Sequence, residues 1–158
     1  MARGLALIVI AALVGVIGWS GDPLTLPLAM LFPALWASAR SRFVTALVAA
    51  AYSLAASRGL PQGVANFYGA DLWPGLLLWL VASFAFVAVH ALLWTSRPGG
   101  GRAVRFALAA VLMAVPPFGI VGWAQPLTAA GVLFPGGGWM GLAAAAAGLT
   151  AMTTRAWP

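Results

Sequence analysis

Apolar residues dominate this chain in long runs, which are separated by short breaks rich in proline, glycine and arginine. The clearest run, 74–94, reads PGLLLWLVASFAFVAVHALLW and opens with a proline, which the first turn of a helix tolerates. A helix crosses a membrane with about 20 mostly apolar residues. The pattern therefore predicts six membrane-spanning helices, near residues 2–19, 24–39, 43–57, 74–94, 103–117 and 138–154.

Composition strengthens this prediction. The chain has 158 residues, of which 63% are hydrophobic and only 6% are charged, and its mean hydropathy is +1.02. A soluble domain carries about 25% charged residues, because water must solvate its surface. We therefore expect an all-α fold, a polytopic membrane helix bundle in which residues 1–158 form a single integral membrane domain.

The charged residues alternate along the predicted spans. Arginines occupy every second connection, at Arg3, at Arg40 and Arg42, at Arg97, Arg102 and Arg105, and at Arg155. An excess of basic residues marks the cytoplasmic side of a membrane protein. The pattern predicts that both termini are cytoplasmic and that the protein lies in a bacterial inner membrane. The stretch RPGGGR, 97–102, is typical of a flexible connection.

Several kinds of chemistry are excluded by composition. The sequence contains no Cys, no Lys and no Glu, so it has no disulfide, no thiolate nucleophile and no Schiff-base lysine. The net charge of +6 does not indicate nucleic-acid binding, because the arginines are scattered between apolar runs. We expect no cofactor and no metal, and membrane lipid as a partner.

Three ionisable positions are candidates for function. Asp22 lies in GWSGDPLTLP, where a turn or helix-capping role is the structural alternative. Asp71 lies three residues before Pro74, where a place near the positive end of a helix dipole is the structural alternative, and a pair with Arg58 across the same loop is a second one. His90 is the only histidine, inside a predicted span, where ionisable residues are costly and often functional. No acid lies in any span to complete a proton relay.

The segment 116–139, PPFGIVGWAQPLTAAGVLFPGGGW, is uncharged and interrupted by proline and glycine. The pair Pro116-Pro117 ends the fifth predicted helix, since proline donates no helix hydrogen bond. Irregular backbone of this kind fits the outer interface of a membrane, and a short helix is predicted over 126–133. Its polar, proline and aromatic residues give further candidates: Trp123, Gln125, Pro126 and Thr128.

This segment, together with GWSGDPLTLPLAMLFPALWA near the N-terminus, resembles the membrane domain of TraB-type conjugal transfer proteins of rhizobial and agrobacterial plasmids. The most specific part is GWAQPLTAAG, 122–131. These proteins are similar to apolipoprotein N-acyltransferases, in which membrane helices precede a nitrilase-like domain. The resemblance implies a role in plasmid conjugation.

The sequence departs from that family at its catalytic residues, because the nitrilase-type Glu, Lys and Cys are absent. The resemblance then implies a non-catalytic scaffold or partner that lacks the nitrilase-like domain. Its expected partners are other conjugation membrane proteins or a separately encoded nitrilase-like domain. One alternative is a small transporter or channel, whose path would use Thr45, Ser53, Ser83 and His90. Another is a fragment of a lipid-modifying, acyltransferase-like enzyme using Asp22, Asp71 and Gln125.

Overall fold

A computed structural model describes residues 2–120 and 124–155. This part of the chain is built from helices and turns and contains no β-strand. Short 3-10 helices cover Pro23–Leu31, Phe118–Ile120 and Pro126–Ala129. The α-helices within the described ranges are α1 (Ala2–Gly18), α2 (Phe32–Ser38), α3 (Arg42–Ala56), α4 (Leu60–Tyr68), α5 (Leu72–Leu93), α6 (Gly100–Leu112), α7 (Ala130–Leu133) and α8 (Gly138–Met152).

The prediction of six membrane-spanning helices is wrong. Among the described residues, α5 alone, with 22 residues, is both long and apolar enough to cross a membrane. A second span would require α3 and α4, which are bent by 40° at the break between them, to count as one. Helices α1 and α8 have 17 and 15 residues, short of the roughly 20 that a span needs. Glycine and proline cut the apolar runs into shorter helices than hydropathy alone suggests.

The run predicted as one helix over 24–39 consists of two elements. Asp22 caps the first, because its Oδ1 accepts a hydrogen bond of 2.9 Å from the backbone N–H of Leu24. Pro27 lies inside this 3-10 helix and has no N–H with which to continue an α-helical ladder. The chain becomes α-helical only at Phe32, with Pro33 in the tolerated first turn of α2.

Two glycines let helix backbones approach closely. A Cβ atom added at Gly15 of α1 would lie 2.6 Å from the carbonyl oxygen of Tyr52 in α3. One added at Gly75 of α5 would lie 2.5 Å from the carbonyl oxygen of Pro61 in α4. Both contacts depend on the missing side chain, so these positions fix how α1 packs on α3 and α4 on α5.

Aromatic rings fill the centre of the core. Phe32, Trp36 and Tyr52 are fully buried, and Phe32 lies 4.6 Å from Tyr52 and 5.4 Å from Phe86 between ring centroids. The outside is also strongly apolar, with many large side chains exposed. On α5 these include Leu77, Leu80, Val81 and Phe84, the last of them 73% exposed.

Most arginines of the predicted basic connections gather at one end of the helices. Arg3 and Arg40 line one cleft at the starts of α1 and α3. Arg102 contacts the backbone of Ala37 and of Arg155. We call this the arginine end. The opposite end carries Arg58, beside the last residues of α1 and α3.

Candidate functional site at the Arg58 cleft

A cleft of about 440 Å³ opens where α1 and α3 end. Arg58 is exposed on its wall, and its Nη1 donates a hydrogen bond of 3.0 Å to the carbonyl oxygen of Ala55. This bond holds the guanidinium beside the end of α3 and leaves its other N–H groups for water or a ligand. The lining residues are Trp19, Ser20, Gly21, Ala56, Ser57, Arg58, Gly59, Leu60 and Ala124.

A chain of hydrogen bonds fixes the base of this Arg58 cleft. Trp19 Nε1 donates to the hydroxyl of Tyr52 at 3.0 Å, and that hydroxyl donates to the carbonyl oxygen of Ala124 at 2.9 Å. The next residue, Gln125, donates from Nε2 to the carbonyl oxygen of Ala110 in α6 at 3.1 Å. Helices α1, α3 and α6 are therefore all joined to the segment that begins at Ala124.

Asp22 lies close to this cleft but not in it. It lines an adjoining cleft of about 260 Å³, which shares Trp19 and Gly21 with the first. Its Oδ1 is engaged by the cap to Leu24 described above. The nearby hydroxyl of Ser20 is within 3.0 Å of the Thr25 hydroxyl. These contacts give Asp22 the turn-capping role that the sequence offers as the structural alternative.

Arg58 and Asp71 do not form the pair that the sequence left open. Both side chains are described and exposed, and no ion pair joins them. Helix α4 was not predicted, and it occupies nine of the residues between them, a length of about 13 Å along the helix axis. Asp71 stands before the first residue of α5 and makes no side-chain capping hydrogen bond there.

The predicted short helix over 126–133 is present as the 3-10 helix Pro126–Ala129 followed by α7. Pro126 is buried in its first turn, whereas Thr128 is exposed. Thr128 lines a third cleft, of about 510 Å³, with mostly apolar and glycine neighbours that include Phe134 and Trp139. Trp123, also a candidate, lies outside the described residues.

His90 lies in the aromatic core and lines none of these clefts. The residue is 1% exposed, and its ring stacks on Phe86 at 4.2 Å between centroids. Nδ1 lies 2.8 Å from the carbonyl oxygen of Phe86, and Trp36 Nε1 donates to the carbonyl oxygen of His90 at 2.9 Å. These contacts give the imidazole a packing role, and a functional role for His90 stays a prediction.

Sequence reasoning did not identify the structural role of Arg102. Arg102 was assigned to a flexible connection, yet it is 3% exposed and lies in the first turn of α6. Its Nε, Nη1 and Nη2 donate to the carbonyl oxygens of Thr153, Ala37 and Arg155 at 2.7, 2.8 and 2.6 Å. Burial lowers the pKa of the Arg102 guanidinium below its usual value, but an arginine stays protonated at neutral pH.

The groups on the Arg58 cleft are suited to binding. The guanidinium of Arg58 keeps N–H groups that can recognise an anionic or polar group. The indole N–H of Trp19 and the hydroxyl of Ser57 already donate within the protein, to Tyr52 and Ser53. Among the described residues that line this cleft there is neither an imidazole nor a side-chain carboxylate to activate a hydroxyl as a nucleophile. Within the described ranges no group of three metal-ligating side chains comes together.

A family model described as "Carbon-nitrogen hydrolase" matches residues 54–158. The chain belongs to the carbon–nitrogen hydrolase family. The matched segment covers α4 to α8. The prediction that the chain lacks the nitrilase-like domain therefore has no support. In the described part of the chain α5 alone is long and apolar enough to span a membrane, and this finding together with family membership overturns the interpretation as a six-span membrane bundle.

Curated relatives support the predicted resemblance to TraB-type proteins. The chain is 60% identical over 162 residues to "Conjugal transfer protein TraB" of Agrobacterium fabrum, covering 96% of this chain and 38% of the relative. It is 63% identical over 152 residues to "Probable conjugal transfer protein TraB" of Sinorhizobium fredii, covering 96% and 39%.

A further relative covers half of the chain. An "Uncharacterized protein outside the virF region" of Agrobacterium tumefaciens is 60% identical over 81 residues, or 51% of this chain and 54% of the relative. The chain thus spans about two fifths of the length of the two TraB relatives, 38% and 39%. No solved structure matches it.

Proposed function

We propose that this protein works in conjugal plasmid transfer as a membrane-associated helical scaffold or partner, and that it is not itself an enzyme. The observation that carries the proposal is the 60% identity, over 96% of the chain, to a protein named for conjugal transfer. Identity at this level along nearly all the helices implies the same packing and the same surfaces. A shared surface is what a scaffold or partner role requires.

The side chains of this chain support the non-catalytic part of the proposal. Hydrolysis of a carbon–nitrogen bond by a nitrilase-type site uses Glu, Lys and Cys, and the sequence has none of them. The two acids, Asp22 and Asp71, are exposed and separate, and Asp22 is engaged in a helix cap. The Arg58 cleft offers binding groups without a base beside its hydroxyls.

Helix α5 supports membrane association. It is apolar over its whole length, and only 28% of its most apolar window is buried inside the protein. Side chains such as Val81 and Phe84 are 55% and 73% exposed. Contact of these apolar side chains with lipid or with another protein is more favourable than their contact with water. We assign α5 as the segment that enters the membrane.

Family membership favours a second candidate, a part of a lipid-modifying enzyme of the carbon–nitrogen hydrolase type. In that case this chain would supply binding surfaces while catalytic groups came from another chain. A transporter has no such support. The polar side chains proposed to line its path, Thr45, Ser53, Ser83 and His90, are between 0% and 5% exposed and belong to the core.

Deletion and complementation test the proposed role. Donor cells without the gene should yield far fewer recipients per donor, and the wild-type gene should restore the number. Complementation with the double variant Asp22→Asn, Asp71→Asn should restore it equally, since a scaffold needs neither carboxylate. Immunoblots of membrane fractions would control for protein level. Unchanged transfer on deletion would refute the conjugation role, whereas failure of the double variant alone would favour the enzyme candidate.

A further inference from the structure

We propose that two adjoining clefts at the end of α1 together bind one zwitterionic phosphoethanolamine group, carried as the headgroup of a membrane lipid. The first is the Arg58 cleft, of about 440 Å³. The second, of about 260 Å³, is lined by Asp22, and we call it the Asp22 cleft. Trp19 and Gly21 line both clefts. One guanidinium and one carboxylate therefore flank a shared wall, where a ligand that carries both charges can reach both.

The two charged side chains are available to a ligand, because they do not neutralise each other. Among the described residues, no ion pair joins the Asp22 carboxylate to the Arg58 guanidinium, and both side chains are exposed. Arg58 uses Nη1 to bind the carbonyl oxygen of Ala55, and Asp22 uses Oδ1 to accept from Leu24. The other guanidinium N–H groups and the second carboxylate oxygen, Oδ2, keep their capacity for hydrogen bonds.

The Asp22 cleft suits an ammonium group. Gly18, the last residue of α1, lines it, and the C-terminal end of a helix carries a partial negative charge. The indole of Trp19 is held in place by its hydrogen bond to the Tyr52 hydroxyl, and the face of an indole attracts cations. A carboxylate, a helix C-terminus and an indole together favour a cation that has N–H donors of its own.

The Arg58 cleft suits the phosphate, which accepts two parallel hydrogen bonds from one guanidinium. Apolar side chains around the two clefts favour a lipid over a free zwitterion. Leu24, two residues after Asp22, is 82% exposed, and Leu60 and Leu26 line the clefts. The glycerol and acyl chains of a lipid would cover such side chains, whereas free phosphoethanolamine would not.

Calorimetry on the purified full chain in non-ionic detergent would measure this binding. The probes are short-chain phosphatidylethanolamine, short-chain phosphatidylglycerol and free phosphoethanolamine. We expect phosphatidylethanolamine to bind about tenfold more tightly than phosphatidylglycerol, the worth of one charge-assisted contact. The net charge of +6 favours the opposite order, so overall charge does not explain this preference. Free phosphoethanolamine should bind more weakly than the lipid, because it has no acyl chains.

Two substitutions separate the two charges. Asp22→Asn should weaken the binding of phosphatidylethanolamine by about tenfold and so remove the preference between the lipids, while its side-chain oxygen keeps the helix cap. Arg58→Gln should weaken the binding of both lipids, since both carry a phosphate. The matched controls are Asp71→Asn and Arg97→Gln, which remove exposed charges outside both clefts and should change binding less than about twofold.

Three results would overturn the proposal. Binding of phosphatidylglycerol as tight as that of phosphatidylethanolamine would mean that the ammonium group is not read. Equal effects of a cleft substitution and its matched control would mean that only net charge matters. Binding of free phosphoethanolamine as tight as that of the lipid would mean that the site takes a soluble zwitterion. If circular dichroism shows that the Asp22→Asn protein is misfolded, Asp22→Ser, which also caps a helix, should show the same loss of preference.

Headgroup binding goes beyond the proposed role in conjugation, and the two can fail separately. Binding is measured on purified protein, while the conjugation role is measured as recipients per donor. Absence of the lipid preference in a protein whose deletion abolishes transfer would refute headgroup binding alone. Unchanged transfer on deletion, with the lipid preference intact, would refute the conjugation role alone.

Discussion

Arg102 Nη1 donates a hydrogen bond of 2.8 Å to the carbonyl oxygen of Ala37, which lies 65 residues earlier in the chain. The same guanidinium binds the carbonyl oxygens of Thr153 and Arg155 after α8. Those carbonyls follow or end their helices, where backbone oxygens lack helical partners. One buried cation therefore replaces the missing partners of two helix ends and fixes both to the start of α6.

Replacing Arg102 with alanine should destabilise the protein strongly. The change removes three charge-assisted hydrogen bonds and should lower the free energy of unfolding by about 3 kcal/mol or more. Arg105→Ala is the matched control, because Arg105 is exposed on the same helix. Thermal unfolding followed by tryptophan fluorescence would measure both. Similar midpoints for the two variants would contradict the structural role assigned to Arg102.

Gly15→Ala should loosen the packing of α1 on α3. The new methyl group would lie 2.6 Å from the carbonyl oxygen of Tyr52, so one helix must shift, at a cost of about 1–3 kcal/mol. At Gly4, on the same helix, the nearest atom to an added methyl group is 3.6 Å away on Val44. Gly4→Ala should therefore be neutral or stabilising, by up to about 1 kcal/mol. Chemical denaturation would measure the free energy of unfolding of both variants. A Gly4→Ala protein less stable than the Gly15→Ala protein would contradict the prediction.

Tyr52→Phe should disturb the base of the Arg58 cleft. Without the hydroxyl, the indole N–H of Trp19 and the carbonyl oxygen of Ala124 both lose their partner, at a cost of about 1–3 kcal/mol. The emission of Trp19 should shift as its environment changes. Tyr68→Phe removes a hydroxyl from a residue that is 73% exposed and should leave stability and emission unchanged. Equal stability and equal emission of the two variants would show that the hydrogen bonds of Tyr52 do not stabilise the protein.

The sequence predicts a helix well where a continuous apolar run determines its position. It predicts a helix poorly where proline or contacts with distant residues determine where the helix begins and ends. The run 74–94 differs from α5 by only a few residues, because a long apolar run has no competing structure. The prediction of one helix over 24–39 was wrong because Pro27 prevents a continuous α-helix. Helix α4 was missed because Pro61, Gln62 and Gly63 lower its hydropathy, although its Pro61 and Ala65 pack inward.

The candidate site was only partly accessible to sequence reasoning. The capping role of Asp22 follows from a local Gly-Asp-Pro turn, and in the structure the Asp22 side chain caps the helix Pro23–Leu31. The side-chain hydrogen bonds that Arg102 and Tyr52 donate join residues 51 to 72 positions apart. No local pattern encodes which carbonyl such a side chain will reach. The failed pairing of Arg58 with Asp71 has the same origin, since it depended on the path of the chain between them.

His90→Phe tests whether the imidazole has a function beyond packing. The ring of His90 stacks on Phe86 and meets Phe32 edge to face at 5.1 Å, so a phenyl ring preserves the aromatic contacts. We expect transfer frequency to stay within about twofold of the wild type if the role is packing. His90→Gln, which keeps a hydrogen-bond donor for the carbonyl oxygen of Phe86, should behave alike. Loss of transfer in both variants at unchanged protein level would establish a functional imidazole.

Arg58→Gln tests whether the Arg58 cleft contributes to the proposed role in conjugation. The guanidinium is exposed and makes one hydrogen bond within its own helix end, to Ala55, so its removal should leave the unfolding midpoint unchanged. If the cleft receives an anionic or polar group of a partner, transfer frequency should fall by about tenfold, the worth of one charge-assisted contact. Arg97→Gln removes an equally exposed charge at the arginine end and should leave transfer unchanged. Equal effects of the two substitutions would show that net charge, and not this cleft, is what the partner recognises.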